Sequence, residues 1–272
     1  MYLKSIYVYP VKSLGGFSVN SWPVNEKGLL HDRRWMIVDK ENRFITQRKF
    51  PKMALISTSL SQEGLHLSAD SMPPITVPFE SGLTTSLKVQ IWNDICLAKP
   101  ASQTASDWLS RFLDSDCRLV YQPEEAVRAV DPDYAKPQDK IYFSDGFPFL
   151  IISEASLVAL NQEMNENFSM TRFRPNLVVT DCEPYAEDTW RSIQIGAIDF
   201  RLPKPCSRCS ITTIDPLTGQ QGKEPLRTLN RTRKWNKQVF FGQNALHDRP
   251  GQLHIDDALI VLSQGPKQPP LL

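Results

Sequence analysis

Two cysteines stand three positions apart in Pro205-Cys206-Ser207-Arg208-Cys209. Such a pair can anchor zinc, act as a redox couple or supply one reactive thiolate. Structural zinc takes four ligands. The chain has no second Cys-x-x-Cys pair, and His31, His66, His247 and His254 are scattered. A thioredoxin-like couple opens a helix after a strand. Here Ser210-Ile211-Thr212-Thr213-Ile214 follows, and its β-branched residues predict a strand. What remains is the chemistry of a single thiolate, a nucleophile or a ligand for a soft or high-valent metal. Lys204 and Arg208 are near in sequence, and nearby cations stabilise a thiolate.

Other residues suit an anion. Lys12-Ser13-Leu14-Gly15-Gly16 joins a cation, a hydroxyl and flexible backbone donors. It is not a P-loop, because the glycines follow the lysine. Arg33 and Arg34 lead into an apolar strand, and Arg172-Phe173-Arg174-Pro175-Asn176 precedes another. Asp145, in Phe143-Ser144-Asp145-Gly146-Phe147, reads as a turn former or as a proton donor at a pocket mouth. Residues 225–237 carry Arg227, Arg231, Arg233, Lys234 and Lys237 and no acid. With Trp235 as their only aromatic and no nucleic-acid motif beside them, they read as a solvated face or an anion-steering rim.

The elements that must position these groups are mostly strands. Residues 3–11, 17–22, 35–38, 55–60, 65–67, 87–92 and 95–98 are rich in β-branched and aromatic residues or alternate in polarity. Trp108, Leu109, Phe112 and Leu113 recur at helical spacing, with Ser106 as the expected cap. Residues 118–121 predict a strand, 122–140 a long loop, 153–164 a second helix and 177–179 a buried strand. Ile193, Ile195, Ile198, Phe200 and Leu202 form a strand pair turning near Gly196, and residues 251–262 predict a final hairpin. The fold class expected is mainly β (α+β) with few helices, in two β-rich units meeting near residue 120.

Composition narrows the class further. The chain has 272 residues, 41% of them hydrophobic and 22% charged, so it can bury a sizeable core. A net charge of +1 argues against a dedicated nucleic-acid binder. Its 21 prolines argue against long coiled coils and all-helical arrays. Residues 1–6 contain no apolar run, so no signal peptide is expected, and no apolar stretch reaches bilayer length. Five cysteines, an odd number, fit a reducing compartment, and the cytoplasm is expected.

The order Tyr9-Pro10-Val11-Lys12-Ser13, Asp32-Arg33-Arg34-Trp35, Phe173-Arg174-Pro175-Asn176, Glu187-Asp188-Thr189-Trp190 and Cys206-Ser207-Arg208-Cys209 resembles the MOSC-domain proteins. Within them the likeness is to the mitochondrial amidoxime-reducing component and its bacterial relatives. The C-terminal domain of molybdenum-cofactor sulfurase belongs to the same group. The resemblance implies a MOSC β-barrel in residues 121–272 and an N-terminal β-rich domain in residues 1–120, whose opening strands approach the cofactor site. It implies the molybdenum cofactor, a molybdopterin, with Cys209 as both metal ligand and catalytic residue. Lys12, Ser13, Arg33, Arg174, Asn176, Ser207 and Arg208 would bind the cofactor, since a phosphate needs cations and directed donors. The implied activity is oxidoreductase chemistry, the reduction of N-hydroxylated or N-oxide compounds, with Asp145 as the proton-delivery candidate. The alternative is a cofactor or persulfide carrier.

Two features bear on that reading. Asn244 follows Phe241-Gly242-Gln243 where the amidoxime reductases have tyrosine. The chain lacks a Gly-x-Gly-x-x-Gly segment and a compact four-cysteine pattern. Electrons are therefore expected from a separate iron–sulfur, flavin or haem protein, and the other partner is a small N-oxygenated substrate. Neither nucleic acid nor a membrane span is expected.

Overall fold

The structure is a computed structural model that describes residues 1–80, 82 and 85–270. Its largest sheet runs in the spatial order Leu259–Gln264, Trp190–Ile195, Ile198–Ser207, Gln238–His247, Phe149–Ser153, Leu177–Thr180, Tyr2–Val8 and Phe17–Val19. This sheet closes on itself. Leu3 N–H donates to the Asp257 carbonyl, Asp256 N–H to the Leu3 carbonyl and Leu259 N–H to the Met1 carbonyl, at 2.9, 2.8 and 3.0 Å. These bonds tie the opening strand to the residues that lead into Leu259–Gln264. The opening strand and Phe17–Val19 are thereby staves of a barrel whose other strands come from the second half of the chain.

The barrel core gathers the buried faces of these strands, with a register shift between Leu3 and Ser5 of the first. Leu3, Ile6 and Val8 of the first strand meet Phe149, Ile151, Leu177, Val179, Trp190, Ile193 and Phe200. Phe149–Ser153 and Leu177–Thr180 pair in parallel, which requires a crossover, and helix Glu154–Met164 supplies it. The Ser153 hydroxyl caps that helix by accepting from Ser156 N–H, and Asn165 ends it in the left-handed conformation.

The other lobe holds a four-stranded sheet, in the order Trp35–Val38, Arg118–Tyr121, Asp94–Pro100, Leu87–Ile91, and a meander of Ser57–Ser61, Gly64–Ala69 and Met72–Val77. All four residues of Trp35–Val38 are buried because both of its faces are covered. Trp35 and Ile37 join a core with Trp108 and Leu109 of helix Gln103–Leu113, while Met36 and Val38 join Val89, Ile91 and Phe143.

Four local expectations are corrected. Ser102, not Ser106, caps the first helix; the Ser106 hydroxyl lies within it, donating to the Ser102 carbonyl and accepting from Leu119 N–H. Residues 210–214 are not a strand. Ser210–Thr213 is a 3-10 helix, in which the Thr212 and Thr213 hydroxyls bond the carbonyls of Cys209 and Ser210 and so compete with strand pairing. Residues 17–22 divide into Phe17–Val19, on the barrel, and Ser21–Asn25, which pairs with Gly251–His254. The expected closing hairpin is therefore two strands in different sheets, since Leu259–Gln264 pairs with Trp190–Ile195.

Gln238–His247, a ten-residue strand, was not foreseen as an element. Gly242 breaks its pattern at φ 78°, and a Cβ there would lie 2.6 Å from the Ile152 side chain. Beside this strand lies a buried acid pair. Glu187 accepts from Ser153 N–H and the Ser156 hydroxyl. Asp188 accepts from Arg233 at 2.6 Å and from Gln243 at 2.9 Å. Arg233 is 6% exposed in its side chain, so it is not part of a solvated basic rim; Arg227 and Arg231 remain exposed.

His31 stacks on Phe79 at 4.6 Å between ring centres, with a ring nitrogen 3.3 Å from Arg34. Burial, then the Arg34 charge, push its pKa down to about 4. The unfolded chain takes up this proton nearer pH ~6.5, so unfolding gains protons in between, and stability rises with pH there. The contribution is full above pH ~6.5 and is lost as pH falls toward about 4. We expect His31→Asn to flatten the pH dependence of urea unfolding over that window, by up to about 3 kcal/mol. Asn tolerates the left-handed backbone of this position (φ 66°). Parallel pH profiles for the two proteins would contradict this.

Candidate functional site

A cleft between the lobes, with a cavity volume of ≈ 140 Å³, is lined by Lys12, Ser13, Arg33, Asp145, Arg174, Asn176, Ser207, Arg208 and Cys209. The residues to which the resemblance gave a cofactor, metal or catalytic role thus reach one place. The loop after Tyr2–Val8 brings Lys12 and Ser13. The end of Ile198–Ser207 brings the cysteine segment, and the turn before Leu177–Thr180 brings Arg174 and Asn176. Ser13, Arg33 and Arg174 all have left-handed backbones, at φ 67°, 52° and 57°. Such conformations are uncommon outside glycine and gather where surrounding structure imposes them.

The cations are held by specific contacts. Arg33 and Arg174 lie 4.4 and 4.3 Å from the ring centre of Tyr9. Arg33 also bonds the buried Asp32 carboxylate, and Arg174 donates to the Leu14 carbonyl at 2.6 Å. Burial, then the Arg33 charge, push the Arg174 pKa down to about 10, which leaves it charged at neutral pH. Arg208 donates to the Phe173 carbonyl at 2.6 Å, and its Nε is buried without a partner. Asn176 is fixed through Leu150 N–H and the Tyr7 carbonyl. Ser207 is exposed at the cleft, and Asn244 lies there too, donating to the Pro205 carbonyl.

Lys12 Nζ donates to the Phe143 carbonyl at 2.9 Å and to Asp145 at 2.6 Å. Burial pulls the Lys12 pKa down, against the pull of Asp145. Desolvation at the cleft mouth works to raise the Asp145 pKa. The Lys12 charge and hydrogen bond outweigh it, with help from Trp92 N–H, and hold the carboxyl well below its ordinary range. In this geometry Asp145 is the counter-ion to Lys12.

Cys209 is exposed, and its Sγ lies 3.4 Å from Arg48 Nη1. Arg48 stacks over Trp92 at 4.6 Å. The cation beside this thiol was expected from Lys204 or Arg208. Arg208 instead reaches Cys206 Sγ at 3.0 Å, and Lys204 stacks on Tyr134. Arg48 comes from 161 residues away, and nothing in its own segment marked it. Among the described residues no group of three or more His, Cys, Asp or Glu side chains is placed to hold a metal. A metal at Cys209 would therefore take its other donors from the group that carries it.

Residues 1–116 match the MOSC N-terminal beta barrel domain and residues 138–260 match the MOSC domain. The chain belongs to the MOSC-domain family. It is 33% identical to human mitochondrial amidoxime-reducing component 1 over 277 residues, covering 95% of this chain and 82% of that protein. The mouse protein of that name is 34% identical over 280 residues, covering the same shares. Human molybdenum cofactor sulfurase is 30% identical over 264 residues, covering 89% of this chain and 30% of that longer protein. No helix among the described residues is long and apolar enough to cross a membrane.

Proposed function

We propose that the chain is a molybdenum-cofactor-dependent oxidoreductase that reduces N-hydroxylated or N-oxide compounds. The observation that carries this reading is the cleft itself: one exposed thiol faces a wall of cations that includes Arg33, Arg174 and Arg208. A molybdopterin fits that donor set, because it brings a phosphate to the cations and its own sulfur donors to a metal short of ligands. The unpartnered Arg208 Nε is a free donor for such a group. When bound, the cofactor supplies two-electron oxygen-atom transfer.

The chain's own residues do the rest. Arg33, Arg174, Lys12 and Ser13 hold the phosphate end, and Asn176, Ser207 and Arg208 orient the ring system with directed donors. Cys209 serves as metal ligand, with the Arg48 guanidinium 3.4 Å from its sulfur. Asn244 and Trp92 flank the open mouth where a substrate's N–O group would enter. Electrons come from a separate redox protein, for which the exposed Arg227, Arg231, Lys234 and Lys237 offer a charge-steered approach. Five free cysteines fit a reducing compartment, and we place the protein in the cytoplasm.

The test is molybdenum analysis with pterin fluorescence on freshly purified protein, followed by turnover of an N-hydroxylated amidine. Reduced viologen should sustain reduction, and NADH or NADPH alone should not. The likeness to molybdenum cofactor sulfurase favours one second reading, a carrier of cofactor or of a persulfide on Cys209. A persulfide mass adduct without turnover would select it.

Arg174→Ala should lower cofactor occupancy rather than chemistry. Losing one charge-assisted contact typically costs ~1.5–3 kcal/mol of binding. Turnover per bound molybdenum should stay near the parent value; full occupancy with a large loss per molybdenum would make Arg174 catalytic instead.

A further inference from the structure

Arg174 and Ile211 also border a second cavity of ≈ 390 Å³. Its inner wall carries Tyr9, Arg172 and Arg174, and no acidic side chain lines it among the described residues. Two polar atoms of that wall are buried without a partner, Tyr9 Oη and Arg172 Nε. The two residues are 2% and 8% exposed, and native structures pair nearly all such atoms.

Both side chains are fixed. A Cβ at Gly16 would lie 2.4 Å from the Tyr9 ring, so the glycine lets that ring sit where it does. Arg172 is pinned by Asp215 at 2.8 Å and stacks on Phe168 at 3.9 Å, which leaves Nε as its spare donor. Burial pushes the Tyr9 phenol well above its ordinary pKa, so it carries its proton and donates. The outer wall is apolar, with Ile214, Pro216 and Leu217, and Leu217 is 86% exposed.

We propose that this cavity binds a small carboxylate with an apolar body, at a site separate from the cofactor cleft and joined to it through Arg174. The carboxylate accepts from Tyr9 Oη and from the arginines, and its apolar body covers Leu217. A phosphate fits less well, because it is strongly hydrated and gains nothing from that wall. This inference stands on the second cavity alone and does not require the cofactor reading.

Benzoate is the probe and benzamide its neutral counterpart. Methyl NMR of the full chain should show benzoate shifting Ile214 and Leu217, with Leu150 of the cofactor cleft unmoved, and benzamide binding about ten-fold more weakly. Tyr9→Phe removes only an unpartnered oxygen and should keep the fold while weakening benzoate several-fold. Arg172→Gln should weaken it about ten-fold. The proposal is overturned by shifts confined to Leu150, by equal binding of benzoate and benzamide, by unchanged affinity in Tyr9→Phe, or by no binding.

Discussion

Replacing Cys209 with serine abolishes reduction of an N-hydroxylated substrate and leaves the protein folded. The side chain is exposed, and its Sγ is bonded by Arg48 at 3.4 Å. Substitutions at such positions usually change stability by no more than about 0.5 kcal/mol. Ligation changes far more, since a serine hydroxyl is a poor ligand for a soft or high-valent metal. Cys206→Ser should do less, because that thiol is half-buried and already engaged by Arg208. Thermal unfolding, molybdenum content and turnover on the same preparations decide the matter. Full molybdenum and full turnover in Cys209→Ser would remove Cys209 from the metal.

Arg233→Ala should cost the most stability of any single change considered, about 3–5 kcal/mol, the usual loss on breaking a buried ion pair. The side chains of Arg233 and Asp188 are 6% and 2% exposed. Removing the guanidinium strands the Asp188 carboxylate beside Glu187, a second acid whose pKa burial already raises. Burial also raises the Asp188 pKa, while Arg233 pulls it down. Without Arg233 the folded state binds a proton on Asp188 more readily. The deficit should therefore shrink as pH falls through the raised carboxylate pKa. A double variant, Asp188→Asn with Arg233→Met, should recover part of the loss, because no uncompensated charge remains. Urea unfolding of the two variants beside the parent measures this, and a loss below about 1 kcal/mol in Arg233→Ala would contradict it.

These two sites show where the chain's own residues could be read and where they could not. Cys209 was legible because a thiol with few alternatives stands out by type and spacing. Arg174 and Lys12 stood out as cations beside strands, and family likeness joined them to Cys209. Residue types alone do not bring together groups that lie 160 positions apart, as the Arg174 side chain and the Leu14 carbonyl do. Arg48 shows the same limit: its segment carries no marker, and only the packing of one lobe on the other sets it beside the thiol. Arg233 was misread because a run of cations resembles a solvated face until a buried acid is found to face one of them.

Secondary structure failed for related reasons. Residues 210–214 have strand propensity, but threonine hydroxyls bonding the preceding carbonyls hold a 3-10 helix. Gln238–His247 was obscured by the left-handed Gly242 in its middle. The opening strand had a legible pattern, and its place in the barrel did not, since pairing with Leu177–Thr180 and closure near Asp257 are contacts of high sequence separation. Asp145 was correctly placed at the cleft mouth, yet its protonation is decided by Lys12, a residue 133 positions away.

The most direct measurement is anaerobic turnover of an N-hydroxylated amidine by the cofactor-loaded chain with reduced viologen as donor, normalised to bound molybdenum. The expected result is sustained formation of the amidine at a rate proportional to molybdenum content, lost in Cys209→Ser. A chain loaded with molybdenum and pterin that turns over no N-hydroxylated or N-oxide compound, or one that turns over equally well without molybdenum, would contradict the proposed function.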